Sequence, residues 1–239
     1  MIVHKNIEQS PSWPIMMSRS GSHIYKKDFK SALSKYQEHC EKIRRLSGTE
    51  NFKIYVGFEI DFFTYSGWLE ELKDFLSQLD YDYVISGNHF IFDEKCETIY
   101  NIDKRLSGII DKSKIQNLIR SHFKTIAQSA QSGIFKFVAH LDYVKKMGTE
   151  FCSTEDYLNE KSLIISALKK SGIGAELSTK GLRKIGCFYP DDWFLDKIKQ
   201  QDISVVISDD AHRVEELGYG FAIAEEKLNE VKITKRLKL

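Results

Sequence analysis

ISVVISDDAH, residues 203–212, decides how the chain is read. An apolar run of strand character ends in two adjacent carboxylates and an imidazole. Asp209 and Asp210 repel each other beside an apolar interior, a cost that core packing does not explain. A bound cation explains it. Side-chain alternation lets only one of the two aspartates face inward, so Asp210 and His212 are taken as the pair aimed at a site. Asp209 is then their outward neighbour, placed to pair with Arg213.

The pattern recurs along the chain. Strand candidates fall at 2–3, 53–62, 81–86, 135–140, 174–178 and 203–208, and most carry a metal-capable residue at or near the C-terminal end. His4 follows the first, and Glu59 and Asp61 lie in YVGFEIDFF (55–63). His89 closes YVISGNH (83–89) and His140 closes FKFVAH (135–140). Helical stripes lie between them: Trp68, Leu72, Phe75, Leu76 and Leu79, then Ile115, Leu118, Ile119, Phe123, Ile126 and Ala130. Serial βα units predict a parallel sheet, and the C-terminal rim of such a sheet is where sites are built. Residues 8–21 and 91–112 read as irregular.

Alternation in 53–62 puts Ile54, Val56, Phe58, Ile60 and Phe62 on one face and Gly57, Glu59 and Asp61 on the other. Glu59 thus faces the rim, with small Gly57 leaving room below it. Asp61 and Asp142 read as direct ligands, as partners orienting an imidazole, or as loop caps. His122 falls on the apolar face of the second stripe and reads as a packed core histidine. His23 and His39 read as surface residues.

Mixed imidazole and carboxylate donors suit zinc, manganese or iron. The four cysteines lie far apart with no CxxC pair, which excludes a thiolate zinc knuckle and fits a reducing cytoplasm. Clustered divalent ions point to hydrolysis of a phosphate ester. GAELSTKGLRK (174–184) supplies hydroxyls, the Arg183 fork and the point charges of Lys180 and Lys184. It is either a phosphate-binding loop beside the metals or a solvated basic loop. Asp210, His212 and Arg183 are the candidate catalytic residues.

The length, 239 residues, suits one domain over 1–239. With 35 Lys and Arg against 34 Asp and Glu, charge gives no reason to expect nucleic acid or a membrane surface as partner. The N-terminus lacks the apolar run of a signal peptide, and no stretch reaches the roughly 18 apolar residues a membrane span needs.

Together GFEID (57–61), NHF (88–90), AHLDYVKK (139–146), ELSTKGLRK (176–184), FYP (188–190), SDDAH (208–212) and LGYGF (217–221) resemble the polymerase and histidinol phosphatase superfamily, in its histidinol-phosphatase branch. The resemblance implies a distorted seven-stranded (β/α) barrel holding up to three divalent metals and hydrolysing L-histidinol phosphate, in histidine biosynthesis. It carries over His4, Glu59, His89, His140, Asp210 and His212 as ligands and Arg183 as a phosphate contact, with Lys180 beside it. It further implies that a metal-bound water, not a protein nucleophile, attacks phosphorus. The family opens with a strand ending in His-x-His, and this chain contains no such triplet. With about six strands counted against seven, the expectation is an α/β barrel incomplete at its N-terminus, whose open edges invite dimerisation. A related phosphoesterase with another small ester, and a shortened, catalytically silent paralogue, are the alternatives.

Overall fold

The computed structural model describes residues 15–17, 23–25, 29–49, 54–93, 98–102, 111–147 and 157–239. A short antiparallel pair, β1 (Ile15–Met17) and β2 (His23–Tyr25), precedes helix α1 (Phe29–Thr49). Then come β3 (Gly57–Ile60), α2 (Trp68–Leu76), β4 (Tyr83–Ser86), the hairpin β5 (Phe90–Asp93) and β6 (Thr98–Asn101), and α3 (Lys112–Gln131). β7 (Phe137–Val138), α4 (Leu158–Ser171), β8 (Gly174–Ser178), α5 (Lys180–Ile185), α6 (Asp192–Gln200), β9 (Val205–Ser208) and α7 (Phe221–Glu230) complete the order.

Five strands form one parallel sheet in the order β3-β4-β7-β8-β9, which is also their order in sequence. Each βα unit therefore steps the same way round, and right-handed crossovers stack the helices on one face, as in a barrel wall. The five strand candidates from residue 53 onward all form. The sixth, at 2–3, lies outside the described residues. Among the described residues the sheet stays open, so the expected barrel is seen as a wall of five strands and not as a closed ring.

Alternation sorts the strand side chains between the two faces. Val84, Phe58 and Ile60 join α2 and α1 in one apolar cluster, and Val138, Ala175, Leu177 and Val205 join α3, α4, α6 and α7 in another. Tyr83, Ile85, Phe137 and Ala139 pack together on the opposite, inner face with Val206 and Leu237. Trp68, Leu72 and Phe75 anchor α2, each worth about 1.5–3 kcal/mol of burial.

The structure departs from four of the expectations. The 91–112 region is not wholly irregular: FIFD (90–93) pairs in register with 98–101. The period-2 signal was present, since Phe90 and Phe92 pack toward the α2 cluster while Ile91 joins the α3 cluster, but the charged run after it masked it. Likewise, 8–21 includes strand β1. The expected bare edge is also partly covered, because the C-terminal segment bonds to β9 through Val205 N–H to the Lys235 carbonyl and Leu237 N–H to the Val205 carbonyl. His39 is half-buried on α1 rather than on the surface.

His122 is a core residue, as expected. It is fully buried on α3, and its ring nitrogens have no hydrogen-bond partner among the described residues. Burial, reinforced by the nearby His140 and His89, pushes its pKa down to about 3 from 6.5. The unfolded chain then takes up a proton that the folded chain refuses, so this residue removes stability as pH falls below 6.5 and goes on doing so to about 3. Between pH 7 and pH 5, His122→Phe should gain about 2 kcal/mol on the parent in urea unfolding. A pH-independent difference would refute a neutral ring.

Candidate metal centre

Glu59 leaves β3 on the inner face, as its alternation demands, while Phe58 and Ile60 fill the core behind it. Three later strands end in a turn with a non-glycine residue at positive φ: Asn88 (51°) after β4, His140 (26°) after β7 and Asp210 (47°) after β9. That region is costly for side chains other than glycine and is held only where surrounding structure demands it. Here the kinks turn His89, His140 and the Asp210–His212 segment across the rim.

Glu59 Oε1 lies 3.2 Å from His140 Nε2 and 3.4 Å from His89 Nε2. One donor atom from each of the three residues falls within 4.8 Å of the others. Two donors on one tetrahedral ion at bonds of about 2.0–2.1 Å stand roughly 3.3–3.4 Å apart, so the spacing fits a zinc-sized cation. Asp61, only 1% exposed, accepts the backbone N–H of His89 and lies 3.4 Å from its Nδ1, which fixes the ring and leaves Nε2 toward Glu59. Burial works against a charged His89 ring, but Asp61 and Glu59 outweigh it and push its pKa up to about 9. An incoming cation must displace that proton.

Glu176, not among the candidate ligands or catalytic residues, also belongs to the site. It is 2% exposed, and its carboxylate accepts the His140 backbone N–H at 2.7 Å and the Ser208 hydroxyl, tying β8 to the ends of β7 and β9. Burial pushes its pKa up, against the pull of His140. Alternation in GAELS carried the signal, since Ala175 and Leu177 face the helices and Glu176 must face the rim.

The remaining candidates fall beside this group. Asp210 is 3% exposed and is ion-paired with the Lys180 ammonium, so Lys180 points into the rim. Burial opposes the charged lysine, but Asp210, Glu59 and Glu176 hold it protonated. His212 Nδ1 donates to the Asp210 carbonyl at 2.8 Å, leaving Nε2 as its ligand-capable atom. Arg183 NH1 lies 2.7 Å from Glu216 Oε2, and its NH2 donates to the carbonyls of Asp209 and Asp210, bracing the loop after β9.

Asp209 accepts from the backbone N–H groups of Ala211 and Gly218, so its partners are main chain. Asp142 takes the loop-cap role. It pairs with Lys145 at 2.9 Å and accepts the Asp191 N–H at 2.8 Å. His4 lies outside the described residues. The room expected at Gly57 is taken by the Tyr83 ring, 3.0 Å from where a Cβ would stand; Gly87 is the glycine that makes space for Glu59.

The chain is 26% identical over 183 residues to the "probable histidinol-phosphatase" of Deinococcus radiodurans, covering 74% of this chain and 65% of that protein. With the histidinol-phosphatase of Bacillus subtilis it shares 30% identity over 115 residues, 45% of this chain and 43% of that protein. The chain is thus similar in sequence to two histidinol-phosphatases. It spans less than two thirds of the length of either curated relative. No protein-family profile matches it.

Two solved structures share the fold of this chain. A Listeria monocytogenes protein provisionally assigned as a histidinol phosphatase superposes with TM-score 0.63 at 19% identity, over 93% of this chain and 85% of that one. The histidinol phosphate phosphatase of Lactococcus lactis, solved with zinc, L-histidinol and phosphate, gives TM-score 0.60 at 14% identity, over 90% and 78%. The likeness extends to the overall fold, in which the parallel sheet brings Glu59, His89 and His140 together.

Proposed function

We propose that this chain is a metal-dependent phosphomonoesterase acting on L-histidinol phosphate, with a divalent ion, zinc or manganese, held by Glu59, His89 and His140. The spacing of those three donors carries the reading. The names of its relatives and the zinc, histidinol and phosphate in the Lactococcus lactis structure support the substrate. A divalent ion at such a site supplies hydroxide near neutral pH and offsets charge on a phosphoryl group.

The chain's own residues set up that chemistry. Asp61 fixes the His89 ring, and Glu176 holds the His140 backbone in its strained turn. Lys180 adds a positive group at the same rim. Free cysteines at Cys40 and Cys187 suit a reducing cytoplasm, and no helix among the described residues is long and apolar enough to cross a membrane.

The test is phosphate release from histidinol phosphate and a panel of other esters by the manganese- or zinc-loaded protein. Histidinol phosphate should be turned over fastest. His140→Ala should lose bound metal and at least about 100-fold in kcat/KM, roughly 3 kcal/mol of transition-state stabilisation. Turnover of other esters alone would sink the substrate assignment, and full activity in metal-free His140→Ala would sink the mechanism.

A further inference from the structure

Lys180 begins α5, yet its side chain is only 13% exposed, and the Asp210 side chain it meets is 3% exposed. A lysine at a helix start normally reaches water, because its hydrated ammonium is poorly replaced by protein. Here the chain instead turns the ammonium inward over the Tyr143 face, 5.7 Å from the ring centroid. Four carboxylates, Glu59, Asp61, Glu176 and Asp210, gather at this rim, all at most about a tenth exposed. Such a concentration of negative charge calls for more than one positive centre.

The two positions for those centres are separate. Glu59, His89 and His140 group their donors within 4.8 Å, and neither Asp210 nor His212 is part of that group. Asp210 is met by Lys180 instead. We propose that Lys180 is a resident cation in the place of a second metal: the rim binds one divalent ion, at Glu59, His89 and His140, and the ammonium occupies the cation position at Asp210. The inference rests on the metal-centre reading above and deepens it.

The physical ground is competition. A divalent ion attracts Asp210 more strongly than an ammonium at equal distance, but it must shed water and arrive from dilute solution. Lys180 is tethered two residues from Ser178 at the end of the neighbouring strand, so its effective concentration at Asp210 is far higher. Expelling it would also take its aliphatic stem out of a site where it is only 13% exposed. The N–H donors that Asp210 does not use remain available to a phosphoryl oxygen beside the metal position.

Equilibrium dialysis against manganese, with elemental analysis of the protein, tests this directly. The parent should bind one ion per chain. Lys180→Leu, which removes the charge and offers no ligand, should bind two, because Asp210 is released to act with the ligand-capable His212 Nε2. Asp210→Asn should still bind one. Circular dichroism establishes that each variant is folded; should Lys180→Leu not fold, the parent and Asp210→Asn decide the matter. A parent with two or more ions, an unchanged count in folded Lys180→Leu, or metal lost from Asp210→Asn overturns the role of Lys180 while leaving the metal centre standing. A parent that binds no ion overturns the centre itself.

Discussion

Gly87→Ala should empty the metal centre while leaving the fold in place. A Cβ at this position would stand 2.5 Å from Glu59 Oε1, 2.8 Å from Glu59 Cγ and 2.7 Å from His89 Cε1. All three are far inside van der Waals contact, so something must move. The colliding atoms are ends of side chains, not backbone, and Gly87 has no positive φ that would forbid alanine. Its N–H can go on donating to the Ile60 carbonyl at 3.0 Å.

The carboxylate will therefore rotate away and the sheet will stay. Once Glu59 leaves, His140 and His89 lose the oxygen that completes their set. Metal affinity should fall at least about 100-fold, near 3 kcal/mol, while the urea midpoint of the metal-free protein changes little. Isothermal titration with zinc or manganese reads the first and denaturation the second. Undiminished affinity would show that Glu59 is not a ligand.

Gly181→Ala should do the reverse and damage the fold. Its Cβ would run into the Cys187 carbonyl oxygen and lie 3.1 Å from both the Phe188 carbonyl carbon and the Tyr189 ring. Two of these atoms belong to backbone that cannot swing aside, because Tyr189 exchanges N–H to carbonyl bonds with Ser178 at 2.7 and 3.3 Å. Either α5 lifts or the 187–189 segment breaks from the end of β8.

Overpacking against fixed backbone falls in the upper range of single-residue effects, about 3 kcal/mol or more. The same displacement would carry off Lys180 and Arg183, which α5 presents to Asp210 and to the loop after β9. Urea unfolding of parent and variant checks it; a shift below about 1 kcal/mol would mean that the helix and loop slide apart freely.

Much of this centre is legible in one dimension because a strand has a period of two. Phe58 and Ile60 must seek the core, so Glu59 cannot, and that inference holds without coordinates. The same rule puts Glu176, between core-facing Ala175 and Leu177, on the rim side of β8. It could not distinguish Gly57 from Gly87, because which glycine makes room for Glu59 depends on the neighbouring strand. Gly57 pairs with Tyr83 in register and yields space to that ring, whereas Gly87 stands against Glu59.

Asp210 shows the limit from the other side. Its place after a buried strand argued for a cation, and a cation is there, but the partner is Lys180, thirty residues earlier in sequence. Spacing gave Lys180 a phosphate-facing role because it sits in a loop of hydroxyls and basic groups. Only the pairing of β8 with β9, Ser178 against Ser208, brings the two side chains together.

The sequence by itself determined the serial βα order, the direction of each strand's side chains and the donor types at the strand ends. These follow from backbone periodicity and from the cost of burying charge, which are local. Tertiary structure alone decided which donors converge. Glu59, His89 and His140 meet because β3, β4 and β7 are neighbours and because Asn88 and His140 adopt positive φ, a conformation that only the packed surroundings can hold.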